Sequence, residues 1–129
     1  MVCNVLDCII IHVNRRSITN KKYMAIYETE KLKVKEVLPG FLGKFIHTEK
    51  MTVAIWEIRE GSELPVHAHP HEQVTIVQEG KLSMTMNDES RILENGMVMT
   101  IPSNAVHSGR ALTDCRVLDI FCPTREDYK

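Results

Sequence analysis

The stretch that decides the fold is Gly61-Ser-Glu-Leu-Pro-Val-His67-Ala-His69-Pro-His-Glu-Gln73, in which two histidines are separated by one residue. On a β-strand, residues i and i+2 project from the same face, so the imidazoles of His67 and His69 are expected to converge on one point. Gln73 returns to that face if Pro70 and the following histidine kink the chain only slightly, and its amide oxygen can complete a site built from imidazoles. This spacing predicts a metal-binding site.

A fourth ligand is expected from a neighbouring strand, and His107 is the candidate because it follows Gly96 and the turn Pro102-Ser-Asn104. Three histidines and one amide oxygen leave positions free on an octahedral ion, which is typical of a catalytic or ligand-binding site rather than a closed structural one. The set is expected to hold one divalent metal ion, and nickel, iron, manganese and zinc all accept these donors. The remaining histidines are not predicted as ligands: His12, His47 and His71.

Short strands separated by turn signals dominate the chain from Met24 onward. Alternating or β-branched stretches predict strands at 51–59, 74–77, 81–87, 91–93, 97–101 and 116–122. No window shows a sustained helical stripe of apolar residues, and only Arg125 to Lys129 is a candidate for a helical turn. The pattern predicts an all-β barrel or sandwich.

The 129 residues fit one domain, and the charge is nearly balanced, with 16 basic and 17 acidic residues. This balance gives no electrostatic footprint for nucleic acid or for a membrane surface. Residues 1–23 differ from the rest and are interpreted as an N-terminal extension, disordered or forming an extra strand, before a barrel domain at 24–129. A start of translation at Met24 is the alternative interpretation.

No export signal is evident, because the apolar run at 8–13 is short and its basic residues follow it rather than precede it. The four cysteines form no CxxC pair: Cys3, Cys8, Cys115 and Cys122. Reduced thiols and a cytoplasmic location are therefore expected.

The two histidine-bearing blocks resemble the two sequence motifs of the cupin superfamily. The matching positions are Gly61, His67, His69, Gln73 and Gly80 in the first block, and Gly96, Pro102 and His107 in the second. Gln73 stands where the family usually has Glu, Asn104 where it has Gly, and Ala111 where it has Asn. The resemblance implies a single jelly-roll β-barrel with the metal near its mouth.

A closer resemblance links the chain to a subgroup of small single-domain cupins that includes the pectin-degradation cupin. It is carried by His67-Ala-His-Pro-His-Glu-Gln73 and by the tail Asp119-Ile-Phe121-Cys-Pro-Thr-Arg125-Glu-Asp-Tyr128. That cupin opens 4,5-unsaturated uronates to the linear keto form, with three His and a Gln as metal ligands. The resemblance implies that Asp119, Phe121 and Arg125 are the other functional residues.

The same three residues have physical interpretations of their own. Asp119 is a charged residue within an apolar strand, and it shares a face with Val117 and Phe121. It could transfer a proton, or it could orient a ligating histidine. Phe121 is either core or a platform for a sugar ring. Arg125 suits a substrate carboxylate, because its fork binds in a bidentate way, or it forms a surface salt bridge with Glu126 or Asp127.

The expected function is a metal-dependent isomerase or lyase-type enzyme that acts on a small carboxylated sugar. Three alternatives stay open: a metal-dependent dioxygenase, a different isomerase, and a non-catalytic module that binds a small acid. A homodimer is expected through the outward face that carries Leu118 and Ile120.

Overall fold

The computed structural model describes residues 24–129, in which the chain forms ten β-strands and two short 3-10 turns. The strands are β1 (Lys35–Leu38), β2 (Phe41–His47), β3 (Thr52–Ile58), β4 (Glu63–His67), β5 (Glu72–Glu79), β6 (Lys81–Met86), β7 (Glu89–Glu94), β8 (Val98–Ile101), β9 (His107–Ala111) and β10 (Cys115–Cys122). The 3-10 turns span Thr29–Lys31 and Glu126–Tyr128. The all-β prediction is confirmed, whereas the predicted extension at 1–23 lies outside the described residues.

The strands form two antiparallel sheets, as a jelly-roll barrel requires. The larger sheet has the order β1-β2-β3-β10-β5-β8, and the smaller has the order β4-β9-β6-β7. The tenth strand therefore lies between β3 and β5, with Asp119 opposite Ala54 on one side and opposite Thr75 on the other. This register brings residues that are distant in sequence into one layer.

The core lies between the sheets, and strands such as β3, β6 and β10 place every second residue in it. On β3, Ala54, Trp56 and Ile58 are buried, and on β6 Leu82 and Met84 face inward. A period of two is the signature of a strand with one face on the core. The inward face of β10 carries Val117, Asp119 and Phe121, and this predicted shared face is confirmed.

The opposite face of β10 carries Leu118 and Ile120, which are partly exposed. Leu118 lies between Ile55 and Ile76 of the flanking strands, so the outer face of the larger sheet is apolar at its centre. Self-association through this face stays a prediction. Within residues 24–129, no helix has the length and the apolar character that a membrane span needs.

Gly80 is the point where the chain passes from one sheet to the other, between β5 and β6. Its φ is +86°, and a Cβ at this position would collide with the backbone carbonyl oxygen of Asp114. We expect Gly80→Ala to lower the free energy of unfolding by about 2–5 kcal/mol. A left-handed backbone at a non-glycine residue costs about 1–2 kcal/mol, and overpacking costs about 1–3 kcal/mol. Urea unfolding of the purified variant measures this loss.

Gly61→Ala is the matched control, because Gly61 has a φ of +80° but no heavy atom within 4 Å of the added Cβ. It should lose only the backbone contribution, about 1–2 kcal/mol. Equal losses in the two variants would contradict the collision at Asp114.

Candidate metal centre

Three of the predicted ligands lie on strands, two in the smaller sheet and one in the larger, and the fourth lies between the sheets. His67 ends β4 and lies opposite His107, the first residue of β9, while Gln73 lies on β5. His69 follows the end of β4, in the segment that joins the two sheets. His67 and His69 do converge as predicted, but the predicted cause was wrong, because they do not lie on one strand. The chain leaves the sheet after His67 to enter the other sheet at Glu72.

Two hydrogen bonds hold that connecting segment against the loop before β9. The backbone amide of Asn104 donates to the carbonyl of His69 over 2.8 Å, and the Ser103 hydroxyl donates to the carbonyl of Pro70 over 2.5 Å. Asn104 has a φ of +62°. Asparagine tolerates this left-handed conformation better than most residues, so it can replace the glycine usual at this position. The two loops together place His69 near His107.

Each of the three histidines is oriented by a backbone carbonyl at its Nδ1. The distances are 2.8 Å from His67 to Pro65, 3.0 Å from His69 to His71, and 2.8 Å from His107 to Ala105. A carbonyl only accepts, so each Nδ1 carries the proton and each Nε2 presents a lone pair. Ligand nitrogens of the three rings lie within 4.8 Å of one another. The group could therefore hold one metal ion.

The lone-pair atoms of the site can bind a cation but cannot form hydrogen bonds with one another. The Nε2 of His107 is buried with no hydrogen-bond partner among the described residues, and the Nε2 of His69 lies 3.0 Å from Oε1 of Gln73. Two acceptors that face each other need a positive charge between or beside them. Burial lowers the pKa of His69, with a further contribution from Arg125, and burial also lowers the pKa of His107. The neutral form that binds metals is thereby favoured.

A chain of hydrogen bonds runs from Gln73 to Asp119 behind the histidines. Nε2 of Gln73 donates to the Thr75 hydroxyl over 2.9 Å, and that hydroxyl donates to Oδ1 of Asp119 over 2.7 Å. Nε1 of Trp56 donates to Oδ2 of Asp119 over 2.9 Å. Burial raises the pKa of Asp119 to about 6, although the hydrogen bonds from Thr75 and Trp56 favour its ionised form. The pKa of Asp119 is therefore close enough to neutral pH for this group to exchange a proton.

Arg125 is buried rather than on the surface, and its guanidinium is bound by Asp127. Its Nε and one terminal nitrogen donate to the two carboxylate oxygens over 2.9 and 2.7 Å. The guanidinium carbon lies 4.8 Å from the Phe121 ring centre and 4.2 Å from that of Tyr128. Of the two salt-bridge partners considered from the sequence, Asp127 binds Arg125, whereas Glu126 pairs with Lys129.

All residues predicted for the site line one cavity of about 50 Å³: His67, His69, Gln73, His107, Asp119, Phe121 and Arg125. The cavity also involves Trp56, Thr75 and Tyr128, which the sequence reasoning missed. Thr75 carried a usable signal, because it has the same strand parity as Gln73. His71 is not part of the histidine group, but its carbonyl orients His69. Cys115 and Cys122 form no disulfide among the described residues.

Comparison with known families gives one match: the model of the Cupin domain matches residues 54–121. That range begins in β3 and ends in β10, so it contains every predicted metal ligand and the strand of Asp119. No curated protein matches the chain.

Solved structures share the fold over most of the chain. KdgF from Halomonas sp. is 25% identical to this chain, with a TM-score of 0.78. The match covers 83% of this chain and 100% of KdgF. An RmlC-like cupin from Shewanella frigidimarina is 23% identical, with a TM-score of 0.78 over 83% and 97% of the two chains. The salicylate 1,2-dioxygenase of Pseudoaminobacter salicylatoxidans is 22% identical, with a TM-score of 0.63 over 66% and 27%. The last two likenesses concern the fold alone.

Proposed function

Because this chain belongs to the cupin family, we propose that it is a metal-dependent enzyme that opens or isomerises a small unsaturated uronic acid. The observation that carries the proposal is that the histidine group shares one cavity with Asp119, Phe121 and Arg125. The motif resemblance to the pectin-degradation cupin and the full-length likeness to KdgF support the substrate class. His67, His69, Gln73 and His107 are the proposed ligands.

A divalent ion held by His67, His69, Gln73 and His107 would supply Lewis acidity toward a hydroxyl or carbonyl oxygen of the sugar acid. Gln73 is neutral where the family usually has Glu, so the ligand set leaves the ion with more net positive charge. Arg125 binds the substrate carboxylate with its planar fork, while the Phe121 ring shapes the pocket around the sugar. Asp119 transfers the proton that the isomerisation moves between oxygen and carbon.

The small volume of the cavity limits how a substrate can bind. About 50 Å³ is room for only a few water molecules, at ~10–15 Å³ each. A uronic acid is larger than this space, so side chains around the cavity must move when it binds, and Asp127 must release Arg125 if the carboxylate of the ligand is to take its place. The carboxylate of the ligand and the carboxylate of Asp127 therefore compete for Arg125.

Ring opening is tested by the ultraviolet absorbance band of the C4–C5 double bond conjugated to the carboxylate, with metal-analysed protein and lyase-generated unsaturated galacturonate. We expect faster loss of the band than without protein, and no acceleration with a chelator present. With metal supplied in large excess, so that the ion stays bound, Asp119→Ala should slow the reaction by roughly 10²- to 10⁴-fold, since general acid–base catalysis contributes about that much. The exposed Asp114→Ala variant, which removes an aspartate outside the cavity, should remain at the wild-type rate.

Two results would count against this assignment. Stoichiometric metal without acceleration removes the uronate substrate and favours an oxygenase or a binding module. An Asp119→Ala variant that keeps both metal and full activity contradicts the proton-transfer role alone.

A further inference from the structure

The Gln73 side chain poses an orientation problem that a carboxylate would not have. Only its oxygen can bind a cation, whereas its NH₂ group would repel one. Gln73 is 5% exposed, so no bulk water is available to satisfy whichever end faces away from the histidines. Something in the protein must therefore distinguish the two ends of the amide.

The direction of the hydrogen bonds behind Gln73 is fixed by the groups at their far end. The indole of Trp56 can only donate, and the ionised carboxylate of Asp119 can only accept. The Thr75 hydroxyl lies 2.7 Å from Asp119 and gives its one proton to that carboxylate. Its lone pairs then accept from the Gln73 amide at 2.9 Å. A flipped amide would set its oxygen against these lone pairs and its NH₂ group against the histidines.

We propose that Thr75 is a positioning residue for the metal centre: its hydroxyl, polarised by Asp119, fixes the Gln73 amide with its oxygen toward His69. This inference rests on the metal site of the proposed function but not on the uronate substrate. It also gives Asp119 a task besides proton transfer, because the carboxylate determines which way the Thr75 hydroxyl points.

Metal affinity tests the proposal without any activity measurement. The probes are Zn²⁺ and Ni²⁺, each titrated into metal-free protein in competition with a chromophoric chelator. Thr75→Val keeps the shape of the side chain but removes the hydroxyl, and we expect it to weaken binding about 10- to 100-fold, as loss of partners behind a ligand typically does. Thr75→Ser keeps the hydroxyl and should stay within about threefold of the wild type.

A double-mutant cycle separates orientation from general damage to the fold. Gln73→Glu replaces the amide with a carboxylate that presents an oxygen at either end, so it needs no orienting partner. In the Gln73→Glu background, Thr75→Val should change metal affinity by less than about threefold. Thr75 no longer has an amide to orient there, so loss of its hydroxyl should have little effect. Circular dichroism of each variant checks that the strands are intact.

Three outcomes would overturn the inference. Wild-type affinity in Thr75→Val removes the positioning role alone and leaves the metal site standing. Equal weakening in the Gln73 and Gln73→Glu backgrounds shows that Thr75 supports the fold rather than the amide. A wild-type protein that binds neither ion overturns the proposed metal-dependent function together with this inference.

Discussion

Replacing His107 by alanine should abolish stoichiometric metal binding and the stabilisation that comes with it. His107 contributes one of the three ring nitrogens, and its Nε2 is a buried atom without a hydrogen-bond partner among the described residues. A loss beyond 100-fold in affinity is expected, because even partners behind a ligand contribute about 10- to 100-fold. Metal at 100 times its dissociation constant stabilises the wild type by about 2.7 kcal/mol, and the variant should gain almost none of this.

Thermal unfolding with and without Zn²⁺ measures the effect, alongside metal analysis of the dialysed protein. His47→Ala is the control, since His47 bonds to Thr52 and lies outside the histidine group. It should keep the full metal-dependent shift. A metal-dependent shift of wild-type size in His107→Ala would show that the ion binds elsewhere.

Substitutions at Arg125 and Asp127 should move the Michaelis constant for the uronate in opposite directions. Arg125→Lys keeps the charge but loses the bidentate fork, so KM should rise roughly 10- to 100-fold, equivalent to about 1.5–3 kcal/mol for hydrogen bonds to a charged group. Asp127→Asn weakens the internal carboxylate that occupies Arg125. Because the Asp127 side chain is 56% exposed, the competing pair is weak and KM should fall only about two- to fivefold.

Steady-state kinetics and inhibition by saturated galacturonate separate substrate binding from the chemical step. Glu126→Gln is the matched control, because Glu126 bonds to Lys129 and not to Arg125. Its KM should match the wild type. If Asp127→Asn raised KM instead, Asp127 would be shaping the pocket rather than competing with the ligand.

The parts of the fold that the sequence predicted are those with a strong local pattern. β6 alternates between apolar and polar residues, whereas β3 and β10 are mostly apolar runs bounded by turn signals, so the existence of all three strands could be predicted. β2 was missed because Gly43 and Lys44 interrupt its apolar residues, and β9 because five residues with Ser108, Gly109 and Arg110 give no period.

The candidate ligands could be named from spacing because their residue types are rare in that combination. The network behind them could not, because it depends on the register between β5 and β10. That register sets Asp119 opposite Thr75, and no local pattern encodes it. For Arg125 the sequence offered Asp127 as a partner, but its burial against Phe121 and Tyr128 is a tertiary property.

The position of β10 between β3 and β5 has a consequence for the chain as it leaves the ribosome. Translation proceeds at about 5–20 residues per second, so β3 and β5 wait for some seconds with unpaired edges before their shared neighbour is made. Exposed edges of this kind are sites of misassociation in a nascent chain. By then every proposed metal ligand has already been synthesised, whereas Asp119 and Phe121 arrive with β10. Insertion of that one strand completes both the larger sheet and the acidic side of the cavity.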